Sequence, residues 1–159
     1  MTQPLSSADL QAFITAQNIQ AEIHHLPSTT LTVPEAAAVL GVAPDQIIKS
    51  ILFLADGEPV LAIGCGTARI EWKALADYLG VSRRRLKTAR ADVVQAVTGY
   101  VVGSVPPFGH KVTLRTVVDT AVYQQTVVYG GGGDIDALMR LETAELKRVV
   151  GPETAVLTK

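Results

Sequence analysis

The sequence predicts an α+β domain built on a mixed, curved sheet, and three observations carry that expectation. Short runs of strand character alternate irregularly with short amphipathic helices, which does not fit a regular βαβ winding. One run, Ile47–Ala55, is followed at once by Asp56-Gly57 and then by Pro59–Ile63, the pattern of a β-hairpin. A length of 159 residues, with 48% apolar and 18% charged side chains, supplies one sizeable core and excludes disorder, so residues 1–159 are read as a single domain.

Each element has a local reason. Ser6 and Ser7 cap a helix through about Asn18 whose apolar stripe is Leu10, Phe13, Ile14 and Ile19. A short strand follows at Ala21–Leu26. Thr32-Val-Pro-Glu35 is a capping box with proline in the first turn, and the helix it opens stops at Gly41. After the hairpin come helices at Glu71–Leu79, closed by Gly80, and at Asp92–Val97, closed by Gly99. Val112–Val118, Thr126–Tyr129 and Ile135–Leu141 read as strands, and Thr143–Val150 as a last helix stopped by Gly151-Pro152.

Mean hydropathy is +0.27. The longest uncharged stretch, from Val93 up to Lys111, is broken by Gly99, Gly103, Pro106, Pro107 and Gly109, so no membrane span is expected. The N-terminus lacks a basic region followed by an apolar one, which points to a cytoplasmic protein. A single cysteine, Cys65, excludes an internal disulfide and a cysteine-based zinc cluster. His24 and His25 are strand neighbours that face opposite ways, and with Cys65 and His110 they lack zinc-motif spacing, so no metal and no cofactor is expected. Nothing specifies an oligomeric state.

The net charge of −1 hides an uneven distribution. Arg69, Lys73, Arg83, Arg84, Arg85, Lys87 and Arg90 face only Glu71 and Asp77, so that segment carries +5 and the remainder −6. Such a cluster either neutralises phosphates or is a solvated helix end and loop.

Lys49 is the most informative residue. Its strand is apolar at both parities, with Ile47, Ile51 and Phe53 on its own face and Ile48, Leu52 and Leu54 beside Ser50 on the other, as in strands buried on both faces. An unpaired ammonium is costly to bury, so Lys49 either snorkels to water or directs its charge into a cleft. In Gly99–His110, two glycines permit close backbone approach and two prolines stiffen the chain. That loop either aims N–H donors at an oxyanion or merely connects two elements. Gly130–Gly133 matches neither a Walker loop nor a dinucleotide fingerprint. It is either a flexible hairpin connection or a place of close backbone approach. No Gly-x-Ser-x-Gly element occurs, and Cys65 has no evident base beside it.

Taken together, Ile47-Ile48-Lys49-Ser50-Ile51-Leu52-Phe53, Val97-Thr98-Gly99-Tyr100-Val101-Val102-Gly103 with Pro107-Phe108-Gly109, and Val118-Asp119 resemble the YbaK/EbsC, or prolyl-tRNA editing, domain family of free-standing aminoacyl-tRNA deacylases. Tyr129–Gly133 leading into Ile135-Asp136 is a looser match. The resemblance implies a mixed sheet partly closed into a barrel, with helices around a cleft. It also implies hydrolysis of the ester joining a small amino acid to the acceptor end of a mischarged tRNA, often the proline tRNA, with a tRNA synthetase as a further partner. The family lysine falls on Lys49 and the family loop on Gly103-Ser104-Val105-Pro106-Pro107, making Lys49, Gly103 and Pro107 the expected catalytic set. Ser50, Ser104, Val105, Pro106, Gly109, Tyr129, Gly131 and Asp136 are the expected substrate contacts. Arg83, Arg84, Arg85, Lys87 and Arg90 are the expected tRNA contacts.

Ester hydrolysis of this kind needs an oriented water or substrate hydroxyl and a stabilised oxyanion, and no metal. The family's reliance on substrate groups accounts for the missing triad. Cysteine-directed members usually carry serine before the loop proline, where Pro106 stands, and serine where Tyr129 aligns; threonine is common at the place of Ser50. Cysteine specificity is therefore not carried over, and alanine, serine, threonine and cysteine stay open as the edited amino acid. Two other readings remain: a catalytically silent tRNA- or synthetase-associated binding module, which Lys49 disfavours, and a small-molecule or protein-binding domain whose basic segment is only surface.

Overall fold

Local signals set most element ends. In the computed structural model, which describes residues 3–28 and 32–159, Ser6 N–H donates to Asp9 and opens α1 (Ser7–Ala16). Thr32 accepts from Glu35 N–H at the start of α2 (Val33–Leu40), and Gly41 ends it in the left-handed region. Gly80 and Gly99 close α3 (Trp72–Leu79) and α4 (Ala91–Thr98) in the same way, and α5 is Thr143–Val150. Residues 1–2 of the N-terminus, where no signal peptide is expected, lie outside the described residues. No described helix is long and apolar enough to cross a membrane.

The strands are β1 (Ala21–His25), β2 (Ile48–Ala55), β3 (Glu58–Cys65), β4 (Leu86–Thr88), β5 (Arg115–Asp119), β6 (Val127–Gly131), β7 (Ala137–Glu142) and β8 (Thr154–Ala155). They form a three-stranded antiparallel sheet, β1-β7-β6, and a five-stranded mixed sheet, β4-β2-β3-β5-β8, with β3–β5 and β5–β8 parallel. The mixed α+β architecture is as expected. The closed-barrel detail is not: neither sheet closes, and the two meet at a parallel bridge between Ile47 and Tyr129. Past Tyr129, β6 backbone lies against the Val105–Pro107 segment: a side chain at Gly131 would collide with the Val105 carbonyl, and one at Gly130 would press on Pro107 Cδ at 3.2 Å.

β4 and β8 escape the sequence reading because they are three and two residues long and exist only through neighbours, Phe53–Ala55 and Val118-Asp119. β5 begins at Arg115 rather than Val112, where pairing with Val60 starts.

β2 is buried on both faces, as its composition demands. Ile48 and Leu52 enter a core with Leu10, Ile14, Leu61, Ile63, Tyr100 and Met139. Phe53 and Ala55 enter a second with Leu75, Ala76, Leu86 and Leu157 under α3. The helix covers only the later half of that face, so Lys49 is left at an opening.

Asp119 ties the C-terminus to the sheet. Its buried carboxylate accepts from Leu157 N–H at 2.6 Å, Thr158 N–H at 3.0 Å, Thr158 Oγ1 at 3.0 Å and Ala121 N–H at 3.1 Å. Glu145 ties α5 to the connection that enters β1. Arg148 and the Gln20 N–H bind it, Arg148 Nε at 2.6 Å and the N–H at 2.7 Å, and hold its carboxyl at about 2 against an ordinary 4.5. A carboxyl lowered in the folded state stabilises fully above its unfolded value and loses that contribution as pH falls from 4.5 toward 2. Acid titration of Glu145→Gln against wild type should show the stability gap narrowing through that window. A gap independent of pH there would refute the clamp.

Gly131→Ala tests the other seam. The new methyl must push the Val105 backbone, and overpacking of this kind costs about 1–3 kcal/mol, read as a lower urea midpoint. An unchanged midpoint would mean that the segment yields freely.

Candidate active site

The hairpin turn Asp56-Gly57 places Lys49 directly opposite Gly64, so the residue paired with the lysine has no side chain. The vacant position is filled from the side by Ile70, whose Cδ1 lies 3.0 Å from where a Gly64 Cβ would stand. The result is a cleft of about 290 Å³ lined by Lys49, Gly64, Arg69, Ile70, Trp72 and Thr88, among others. Lys49 is exposed within it and has no carboxylate or hydrogen-bond partner among the described residues. Of the two readings of Lys49, snorkelling and pointing into a cleft, the structure combines both. The side chain lines the concavity and is open to water there.

A second cleft, of about 320 Å³, adjoins the start of the same strand. Ile47, two residues before Lys49 on its face and so about 7 Å along the strand, lines it with Val33, Ala36, Gly103, Asp136 and Leu138. Gly66 marks the seam between the clefts: its backbone lies against Ile47 O and Val33, and a side chain there would stand 3.0 Å from both. Tyr129 is buried beneath this second cleft, packed with Ile47, Ala36 and Ala37, and its ring lies 6.2 Å from that of His24.

The Gly99–His110 loop is pinned from several sides. Ser104 Oγ donates to Val101 O at 2.8 Å, and Lys111 N–H donates to Thr98 O at 2.8 Å across its base. His110 Nε2 lies 2.7 Å from Pro106 O, which can only accept, so Nε2 carries the proton. Burial pushes the His110 pKa below its usual value, so the ring stays neutral near pH 7. Gly133 N–H donates to Ser104 O at 3.1 Å. Tyr100, buried in the core, has its phenol pushed up to about 12 by burial first and by Asp9 and Asp134 second. The glycine run is therefore a place of close approach, by the protein's own loop.

The expected site residues separate into groups. Gly103 and Asp136 share the second cleft, Lys49 sits at its neighbour, and Tyr129 lies below. Ser104, Val105, Pro106 and Pro107 are buried behind the cleft, where they pack on β6. Gly109, with φ of +77°, lies against the Phe13 ring. Ser50 faces the core opposite Lys49, and its buried hydroxyl has no partner among the described residues. Val33, Ile47 and His110 were missed as site-forming residues. The only trace of His110 in the sequence is that it ends the proline loop.

The basic segment forms the edge of the larger sheet around β4. Arg85 pairs with Asp56 at 2.7 Å and Arg90 with Asp92 at 3.5 Å. Arg83 lies 4.0 Å over the Trp72 ring. Arg84 and Lys87 are exposed and have no carboxylate partner among the described residues.

Cys65 also lines the first cleft, but burial, then Asp45 and Asp119, push its thiol pKa up, so it stays protonated and a poor nucleophile. His25, Asp134 and Asp136 bring ligand atoms within 4.8 Å of one another, a grouping across β1 and the β6–β7 turn that sequence spacing does not show. Asp134 is already engaged there, accepting from Ser7 N–H at 3.0 Å and Ser7 Oγ at 2.6 Å.

A family model described as an aminoacyl-tRNA editing domain matches residues 27–149. Among curated relatives, the proline–tRNA ligase of Nitratidesulfovibrio vulgaris (strain DP4) is 38% identical over 89 residues, covering 56% of this chain and 15% of the ligase. The chain thus spans only a small part of the ligases it matches. The uncharacterized protein YwhH of Bacillus subtilis (strain 168) is 26% identical over 143 residues, covering 89% of both chains. Among solved structures, a protein described as a candidate trans-editing enzyme for prolyl tRNA synthetase superposes with a TM-score of 0.90 at 27% identity, covering 96% of each chain.

Proposed function

Because the chain belongs to the aminoacyl-tRNA editing domain family, we propose that it is a trans-editing hydrolase that cleaves the ester of a small amino acid mischarged onto a tRNA, the proline tRNA foremost. The observation that carries this reading is the unpaired Lys49 ammonium lining one cleft, two residues along its strand from Ile47, which lines a second cleft with Gly103 and Asp136.

The aminoacyl group enters the second cleft, where Ile47, Val33 and Leu138 offer apolar contact and buried Tyr129 limits depth. Asp136 faces the α-ammonium, a charge every aminoacyl ester carries. Lys49 lies against the ester carbonyl and stabilises the oxyanion as a water, oriented by the neighbouring ribose hydroxyl, attacks the carbon; the bond from the carbon to the ribose oxygen breaks, and that oxygen leaves with the proton the water gives up. The loop from Gly103 to Pro107 holds the cleft wall, and the His110 hydrogen bond keeps it in place. Arg84 and Lys87 meet the phosphates of the acceptor end, and the protein acts beside a tRNA synthetase.

The silent-module alternative predicts binding without turnover, so one experiment separates the two. The protein is incubated with proline, alanine, serine, threonine and cysteine tRNAs, each carrying several small amino acids. We expect deacylation of at least one mischarged proline tRNA and sparing of prolyl-tRNA. No turnover of any member would overturn the reading. A hydrophobic pocket separates a methylene by only ~1–3 kcal/mol, so discrimination among near-sized amino acids should be partial.

A further inference from the structure

The residues that lead into α1 reach both segments that bring Gly103 and Asp136 to the second cleft. Leu5 N–H donates to Gly99 O at 2.7 Å, at the base of the loop that carries Gly103. Ser7 donates twice to Asp134, from its backbone N–H at 3.0 Å and from Oγ at 2.6 Å. Gly133, in the left-handed region at φ +94°, lies so close to Ser7 that a side chain there would stand 2.8 Å from the Ser7 Cα. Its N–H donates to Ser104 O at 3.1 Å. Loop and turn are thereby joined to each other and to the start of one helix.

The junction is stiff for physical reasons. The first N–H groups of a helix lack partners within it, and the helix dipole favours a carboxylate there. Asp134 meets that need at Ser7. The Ser7 hydroxyl first, then its N–H and the nearby His25, hold the Asp134 carboxyl below its usual value against the opposing effect of burial. The helix is itself anchored, since Leu10 and Ile14 are buried in the larger core. On the other side of the turn, Leu26 N–H donates to Asp136 O at 2.6 Å and Ala137 N–H to Asp134 O at 3.0 Å. Ile135 and Asp136 line the second cleft from this turn, and Gly103 lines it from the loop.

We infer that Asp134, held by Ser7, is a positioning residue that fixes Asp136 and the Gly103 loop as one wall of the amino-acid cleft and so sets which amino acids fit. The inference rests on the editing reading for the identity of what the cleft receives. Neither Ser7 nor Asp134 lines the cleft, so their effect on substrate passes through Gly103, Ile135 and Asp136.

Steady-state deacylation of mischarged proline tRNA and of prolyl-tRNA tests this, at a temperature where every variant is folded. Asp134→Ala should raise the KM for the mischarged substrate about tenfold, the scale of one lost contact, and leave kcat within about twofold. It should also begin to hydrolyse prolyl-tRNA. Ser7→Ala, which keeps the backbone bond, should show a smaller change of the same kind, and Ser7→Thr, which keeps both donors, should match wild type. Glu145→Gln weakens the fold at a residue that does not line the cleft and should alter neither KM nor selectivity. Should Asp134→Ala not fold, Ser7→Ala against Ser7→Thr carries the same comparison. Amide hydrogen exchange gives a readout independent of turnover: the Gly133 and Leu26 N–H groups should exchange faster in Asp134→Ala and Ser7→Ala. Wild-type KM and selectivity in folded variants would overturn the positioning role and spare the editing reading. A fall in kcat at unchanged KM would also overturn it, since the wall would then serve the chemical step instead of fit. Unchanged exchange at Gly133 would overturn the clamp itself. If wild type turned over no substrate, the editing reading would fall, and faster Gly133 exchange would still support the clamp.

Discussion

Lys49→Ala is expected to slow deacylation of the best mischarged substrate by about 10²–10³-fold, the typical loss on removing one well-aimed oxyanion donor. The thermal midpoint should hardly move. The side chain is exposed, has no partner among the described residues, and faces a glycine across the ladder, so its removal leaves neither a cavity nor an unpaired buried group. That combination separates a chemical role from a structural one. If the variant turned over substrate within a few-fold of wild type, the oxyanion assignment would fall, and the ammonium would have to be read as another surface charge beside the β4 strip. Lys49→Met, which keeps the aliphatic length, should lose as much as alanine. Single-turnover rates check both.

The second large effect concerns folding. Asp119→Ala should lower stability by about 3–5 kcal/mol, measured as the shift in urea midpoint at constant slope. The carboxylate accepts from three backbone N–H groups and one hydroxyl, and Leu157 beside it is fully buried. Alanine leaves those donors in a dry interior with nothing to replace water, and the C-terminal segment loses its anchor to β5. The Asp119→Asn variant retains one acceptor oxygen and should lose less. Were alanine to cost under about 1 kcal/mol, water or backbone rearrangement must satisfy the donors, and the anchoring role would be wrong. The Val118-Asp119 pair belongs to the residues on which the family resemblance rests, yet its contacts are all with the protein's own backbone and Thr158. Its place in the pattern reflects the frame that carries the site.

Much of this architecture is legible from local rules. Thr32 with Glu35, and glycines at 41, 80 and 99, end helices because capping and left-handed backbone are decided within a few residues. The Asp56-Gly57 turn even sets the register that puts Lys49 opposite Gly64, since a two-residue hairpin leaves no freedom in pairing. That glycine was a signal for the cleft available in the chain itself. The two shortest strands were invisible because their hydrogen bonds are made to partners far away in sequence. The glycine run was ambiguous for a related reason: Gly131 is small to admit Val105, some 26 positions earlier, and no local pattern reveals which backbone will approach.

The chain alone determined the helices and the longer strands, the doubly apolar strand and the lysine that violates its pattern, since periodicity, caps and turn chemistry act between neighbours. Only the tertiary structure decided that the two sheets meet at Ile47 and Tyr129 without closing, that the proline loop docks on β6, and that Trp72, Arg69 and Arg83 gather beside the lysine. Those outcomes depend on which surfaces exclude water against one another, a competition among segments distant in sequence that short-range preferences do not encode.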